Sequence, residues 1–151
     1  MDTEHVHIDK QTPDAYHALA AVATAVTKAA REAGLSRSLT ELVNVRVSQL
    51  NGCPSCLDAH VHRAVAAGVT DKQLATLSVW RDTELFDERE RAALRLAEIT
   101  TTLPDHDAAE REYARARRAL TDDELSAVIW VATAINAFNR VSILSRHPVR
   151  P

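Results

Sequence analysis

Helix start and stop signals recur along the whole of this chain, and that punctuation constrains its fold more than any other feature. Thr12-Pro13 supplies an N-cap followed by a proline at the first helical position, and Gly34 closes that helix. Ser38-Leu39-Thr40-Glu41 has the form of a capping box, in which hydroxyl and carboxylate satisfy free backbone donors. The helix it opens should end at Asn51-Gly52, where a left-handed cap is expected. Cys53 then takes the next N-cap position and Pro54 the first turn of a helix that stops at Gly68. Thr70–Gln73 and Asp87–Glu90 open two more, the second ending before Pro104; residues 105–119 are helical by composition. Thr121–Glu124 starts a last helix, whose Leu125, Val128, Ile129, Ala132, Ile135 and Phe138 recur at helical spacing. No strand pattern, internal repeat or low-complexity linker interrupts the series. The expectation is an all-α chain of about six to seven helices: a polar arm over 1–11, free to fray, and one helical domain over 12–151.

Composition supports this. The 151 residues include only three glycines and five prolines, alanine is abundant and aromatics make up 4%, a mix suited to closely packed helices. The net charge of −3 comes without any Lys/Arg run, so nucleic acid is not an expected partner. Charges break up the apolar stretches, so no membrane span is expected. The opening MDTEHVHIDK has neither the basic leader nor the apolar core of a secretory signal, which points to the cytoplasm.

One constellation carries chemistry: Glu41, then Cys53-Pro54-Ser55-Cys56, then His60. The only two cysteines in the chain sit three apart at a helix start, where unpaired N–H groups and the helix dipole favour a thiolate. In a reducing compartment so short a loop makes a poor structural staple, which favours a dithiol that cycles to a disulfide. His60 follows Cys56 by one helical turn and shares its face, so it can take up and return a proton. If the flanking helices fold back antiparallel, Glu41 lies about 16–18 Å down its helix, level with His60 or just beyond it. The expected order is sulfur, imidazole, carboxylate, with a water filling one gap; direct contact between Glu41 and sulfur is not expected.

Each member also has a plainer role. Glu41 could serve only the capping box, His60 could be a packed or surface histidine, and Cys56 a small buried hydrophobe. Two thiolates, an imidazole and a carboxylate could also bind Zn²⁺, but no second CxxC or HxxxH pair accompanies them, and no metal is expected. His5 and His7 are read as tail residues despite their acidic neighbours, and His62 as solvent-facing. Trp80 and Trp130 are read as core or subunit-contact residues. Asn136, Asn139 and Arg140 would satisfy buried backbone groups or face a partner subunit.

The run from Glu41 to His60, ELVNVRVSQLNGCPSCLDAH, resembles the core motif of the alkylhydroperoxidase AhpD-like proteins of the carboxymuconolactone decarboxylase superfamily. Leu85–Leu94 with Thr100 or Thr101 after it, and Ile135–Arg140, are similar to single-domain members, so the likeness spans roughly residues 12–146. It implies an all-helical fold assembling into homo-oligomers, often trimers or hexamers, and thiol-dependent reduction of organic hydroperoxides. It also implies that Cys56 is peroxidatic and Cys53 resolving, with Glu41 and His60 as the proton relay. No cofactor beyond the Cys53–Cys56 disulfide is implied, and the partners would be an organic hydroperoxide and a protein or small-molecule dithiol reductant. Where the family's motif carries a second histidine between the cysteines, this chain has Ser55. Two other expectations share the fold: a dithiol–disulfide oxidoreductase or redox sensor that does not act on peroxide, and a lactone decarboxylase, which needs no cysteine pair.

Overall fold

The computed structural model describes residues 3–151, so Met1 and Asp2 of the arm and of the signal-sequence reading lie outside the described residues. The described residues form eight α-helices and one 3-10 helix: α1 Ile8–Gln11, α2 Pro13–Glu32, α3 Arg37–Asn51, α4 Pro54–Ala66 and α5 Asp71–Thr76; then the 3-10 helix Leu77–Asp82, α6 Glu88–Thr102, α7 His106–Arg117 and α8 Asp122–Leu144. No strand occurs among the described residues, and the all-α expectation holds.

Most of the caps do what their chemistry dictates. Thr70 with Gln73, Asp87 with Glu90, and Thr121 with Glu124 all form reciprocal capping boxes. Gly52 closes α3 in the left-handed region at φ 65°, and Pro54 occupies the first turn of α4. The Ser38–Glu41 box is a correction. Helix α3 begins two residues earlier, capped by Ser36, whose hydroxyl accepts from the Leu39 N–H at 3.2 Å, while Ser38 only meets the Ser36 hydroxyl at 3.0 Å. An earlier start moves Glu41 out of the first turn and releases its carboxylate from capping.

Helix α3 runs through the middle of the molecule and packs against α4, α6 and α8. Its two buried faces serve two apolar clusters. Leu39, Val43 and Val47 join α2, α6 and α8 through residues such as Leu96, Val128 and Ile135. Leu42 and Val45 join α4, the 3-10 helix and α6 through Ala64, Trp80 and Leu94. Trp80 is therefore core, and its indole N–H donates to Glu98 Oε1 at 2.8 Å. The same carboxyl group accepts from Arg46 and Arg81, and the Arg81, Arg91 and Arg95 guanidinium groups lie 4.3–5.3 Å from the indole ring centre. Trp130 differs: it is half-exposed on the outer side of α8.

One expectation holds and another is corrected. Charge bounds the longest apolar stretch, residues 125–139 of α8, at Glu124 and Arg140, short of the roughly 20 residues that a bilayer needs, although the whole 23-residue helix is long and apolar enough to span one by length and composition. Its packing against α2, α3 and α6 accounts for that composition, since a helix covered on several sides is apolar on several sides. The arm, by contrast, is not frayed over its described residues. It folds into α1 and docks on the end of α8, where the Ile8 N–H donates to the buried Ser145 hydroxyl at 3.1 Å and His5 Nδ1 lies 2.7 Å from the Leu144 carbonyl.

Candidate functional site

Helices α3 and α4 form an antiparallel hairpin hinged at Gly52, and this hairpin carries the whole constellation. Cys53, at the hinge, is the N-cap of α4, and its sulfur accepts from the Cys56 N–H at 3.4 Å. Pro54 fixes the first turn, so Cys56 returns over the hinge with a Cα separation of 5.4 Å, and the two sulfurs are joined as a disulfide. In this state neither sulfur is a thiolate able to ligate a metal. One turn further along α4, His60 reaches Glu41 across the hairpin, with Nδ1 2.7 Å from Oε2. The carboxylate can only accept, so Nδ1 carries the proton and Nε2 is left as the nitrogen available for other chemistry. Glu41 and His60 meet directly, and Cys56 lines the same cleft as both of them.

The two sulfurs differ in surroundings. Cys53 is 1% exposed, whereas Cys56 is 8% exposed and lines a cleft of about 830 Å³. Glu41, Ser55 and His60 line the same cleft, and its far wall comes from α2 and α8, with Tyr16, Val26, Ile135 and Phe138 among the contributors. Arg31, Arg37 and Arg63 add positive charge to the lining. Sequence could have flagged Arg63, which lies one turn beyond His60 on the face that already carries Cys56. Nothing in the sequence pointed to Tyr16 or Arg31, because their place depends on how α2 crosses the hairpin. Ser55 turns its hydroxyl to within 3.8 Å of Cys53 Sγ. His62 faces solvent as expected, with its ring against the Asp58 carbonyl.

The polar residues of α8 hold the hairpin's hinge end in place. Asn51, immediately before Gly52, donates from its side-chain amide to Asn136 Oδ1 at 2.8 Å and to Asn139 Oδ1 at 3.0 Å. Asn139, fully buried, donates in turn to the Ser48 hydroxyl at 3.2 Å, and Asn136 donates to Thr101 on α6 at 3.0 Å. Arg140 donates to the Asn136 carbonyl at 3.1 Å. These groups therefore bond mainly to one another, fixing the end of α3 and hence the position of the cysteines.

Over residues 13–98, from α2 to within α6, the sequence matches the carboxymuconolactone decarboxylase family. The chain belongs to that family. The protein YdfG of Bacillus subtilis, itself uncharacterised, is 31% identical over 116 residues, which cover 77% of this chain and 79% of YdfG. The uncharacterised YnjA of Escherichia coli is 34% identical over 101 residues, or 65% of this chain and 55% of that protein. Among solved structures, ATU0492 of Agrobacterium tumefaciens superposes with a TM-score of 0.87 at 26% identity, covering 99% of both chains. It is a protein of unknown function provisionally assigned to antioxidant defence as an AhpD. The debrominase Bmp8 shares the fold, with a TM-score of 0.78 over 93% of this chain and 74% of that one, at only 15% identity. An AhpD-like carboxymuconolactone decarboxylase fold carrying a CxxC pair therefore describes this chain, in keeping with the resemblance read from residues 41–60, and it fits a redox role.

Proposed function

We propose that this protein is a thiol peroxidase that reduces organic hydroperoxides through Cys56 and Cys53. One observation carries the reading: Cys56 and His60 open onto the same cleft, walled in part by apolar side chains of α2 and α8, while Cys53 is buried behind them and within bonding reach of Cys56. An alkyl hydroperoxide entering the cleft meets the Cys56 sulfur first.

The cycle starts from the reduced pair. His60 Nε2 accepts the Cys56 thiol proton, and Glu41 holds the ring through Nδ1 and stabilises the imidazolium. The thiolate attacks the distal oxygen of ROOH; an S–O bond forms, the O–O bond breaks, and the leaving alkoxide takes the proton from His60 to give ROH. Cys56 is now a sulfenic acid. The Cys53 sulfur attacks it, forming the disulfide and expelling hydroxide, which leaves as water with the Cys53 proton. Two thiols and one ROOH thus give one disulfide, one ROH and one water. A dithiol reductant restores the pair by exchange.

We further propose that the chain acts in the cytoplasm, whose reducing poise suits such a cycle, and as a homo-oligomer, a trimer or hexamer. Half-exposed Trp130, beside Tyr113 and Ile129 in a shallow depression, supports association. Sedimentation of the full chain tests it, and a concentration-independent monomer would remove it.

The activity is tested by treating the reduced protein with one equivalent of cumene hydroperoxide. Loss of two thiols and release of one cumyl alcohol per chain are expected, with no alcohol from Cys56→Ser. Alcohol formation by Cys56→Ser overturns the reading. Oxidation of the pair by disulfides but not by peroxide would make the protein a dithiol–disulfide exchanger instead.

A further inference from the structure

The docking of the N-terminal arm on the end of α8 gathers a second group of ligand-type side chains. His7, Asp9 and His147 each bring one potential ligand atom to a point where all three lie within 4.8 Å of one another. His147 Nε2 is 3.0 Å from Asp9 Oδ1, and the two imidazole rings are 5.4 Å apart between centroids. We infer that these three side chains form a binding site for a divalent transition metal of the Zn²⁺ type, which ties the two ends of the chain together.

Three features favour a metal over a simple ion pair. First, the donor set of two imidazoles and one carboxylate matches ions of borderline softness; Ca²⁺ and Mg²⁺ would call for oxygen ligands throughout. Second, His147 is already oriented as a ligating histidine is: its Nδ1 lies 3.2 Å from the Ser142 hydroxyl, which fixes the ring and directs Nε2 towards the cluster. Third, His7 Nδ1 is buried without a hydrogen-bond partner among the described residues. Such an orphan costs about 1–3 kcal/mol, a deficit that coordination through Nδ1 removes. Ligands around tetrahedral Zn²⁺ sit about 3.3 Å apart for bonds of about 2.0–2.1 Å, so modest side-chain rotation closes the present spacing. The backbone needs no rearrangement, since the Ile8–Ser145 and His5–Leu144 contacts already hold the arm in register. Three protein ligands leave a fourth position for water. The site shares no residue with the Cys56 cleft except through Ser142, which lines that cleft, and it does not depend on the peroxidase reading.

The test uses the full-length chain, stripped of metal by a chelator and with the Cys53–Cys56 disulfide closed so that no thiolate competes. Calorimetric titration with Zn²⁺ should show one equivalent per chain. Affinity should fall at least tenfold in His7→Ala and in His147→Ala, and stay unchanged in His106→Ala, where the histidine is exposed at the start of α7. Because a variant could loosen the arm for other reasons, the wild-type protein supplies a second readout. Zn²⁺ should slow trypsin cleavage after the exposed Lys10 at least fivefold, and excess chelator should reverse the effect. Absence of saturable binding, wild-type affinity in both His7→Ala and His147→Ala, or cleavage at Lys10 that ignores Zn²⁺ would each overturn the inference.

Discussion

Replacing Glu41 by glutamine keeps the shape of the side chain and removes its charge. In the wild-type chain the carboxylate accepts from His60 Nδ1 at 2.7 Å, and both side chains are largely withdrawn from water, at 10% and 13% exposure. A glutamine carbonyl can accept from the same N–H, so the ring stays oriented, but the bond is no longer charge-assisted once His60 holds the Cys56 proton. Hydrogen bonds to charged groups contribute about 1.5–3 kcal/mol, against about 0.5–1.5 kcal/mol for neutral pairs, a difference of about 1–1.5 kcal/mol. At about 1.36 kcal/mol per tenfold, Glu41→Gln should slow attack on peroxide by about five- to tenfold. Glu41→Ala also removes the orienting partner, and its loss should approach the hundredfold typical of a missing acid–base contribution, about 10². The assay is single-turnover thiol loss by rapid quench, with cumene hydroperoxide below saturation and circular dichroism confirming the fold. Wild-type rates in both variants would show that the Glu41–His60 pair only packs the hairpin, and the relay would have to be abandoned.

Asn139→Ala should lower stability by about 1–3 kcal/mol, measured by urea unfolding with an unchanged m-value, because the Ser48 hydroxyl and the Asn51 amide each lose a buried partner. Trp80→Ala should cost about 3–5 kcal/mol in the same assay, as it empties the second apolar cluster and leaves Glu98 without the indole donor. Burial alone would raise Glu112, but the hydrogen bond from Arg95 and the positive charges of Arg95, Arg81 and Arg115 outweigh it and hold the carboxyl below its ordinary value of 4.5. A depressed folded-state value contributes stability above that ordinary value, and the contribution is lost as pH falls through the lower folded one. Glu112→Gln should therefore show a shallower loss of melting temperature on acidification below about pH 4.5; an unchanged acid limb would contradict this.

Most of the helical order could be read from local chemistry, because caps act over three or four residues. Thr70, Asp87 and Thr121 each sit three residues before their capping-box partner, and Gly52 sits where α3 must turn. The same locality explains the miss at Ser38. Ser36 and Ser38 are equivalent by type, and only the contact with His60, nineteen positions further on, shows that Glu41 is needed elsewhere. The site was legible for a similar reason, since Glu41, Cys53, Cys56 and His60 all lie on one hairpin whose length fixes their levels. The rest is long-range. Asp9 meets His147 across 138 positions, and Tyr16 and Phe138 enter the cleft from helices packed against the hairpin. The apolar length of α8 could be counted from sequence, but its cause, a helix covered by α2, α3 and α6, could not.

The central claim is that peroxide reaches Cys56 and not Cys53. The most direct measurement is mass-spectrometric mapping of sulfenic acid, trapped with dimedone after one equivalent of cumene hydroperoxide, on reduced Cys53→Ser and Cys56→Ser proteins. The adduct should form on Cys56 in Cys53→Ser and be absent from Cys56→Ser. A dimedone adduct on Cys53 in Cys56→Ser, with none on Cys56 in Cys53→Ser, would contradict the account.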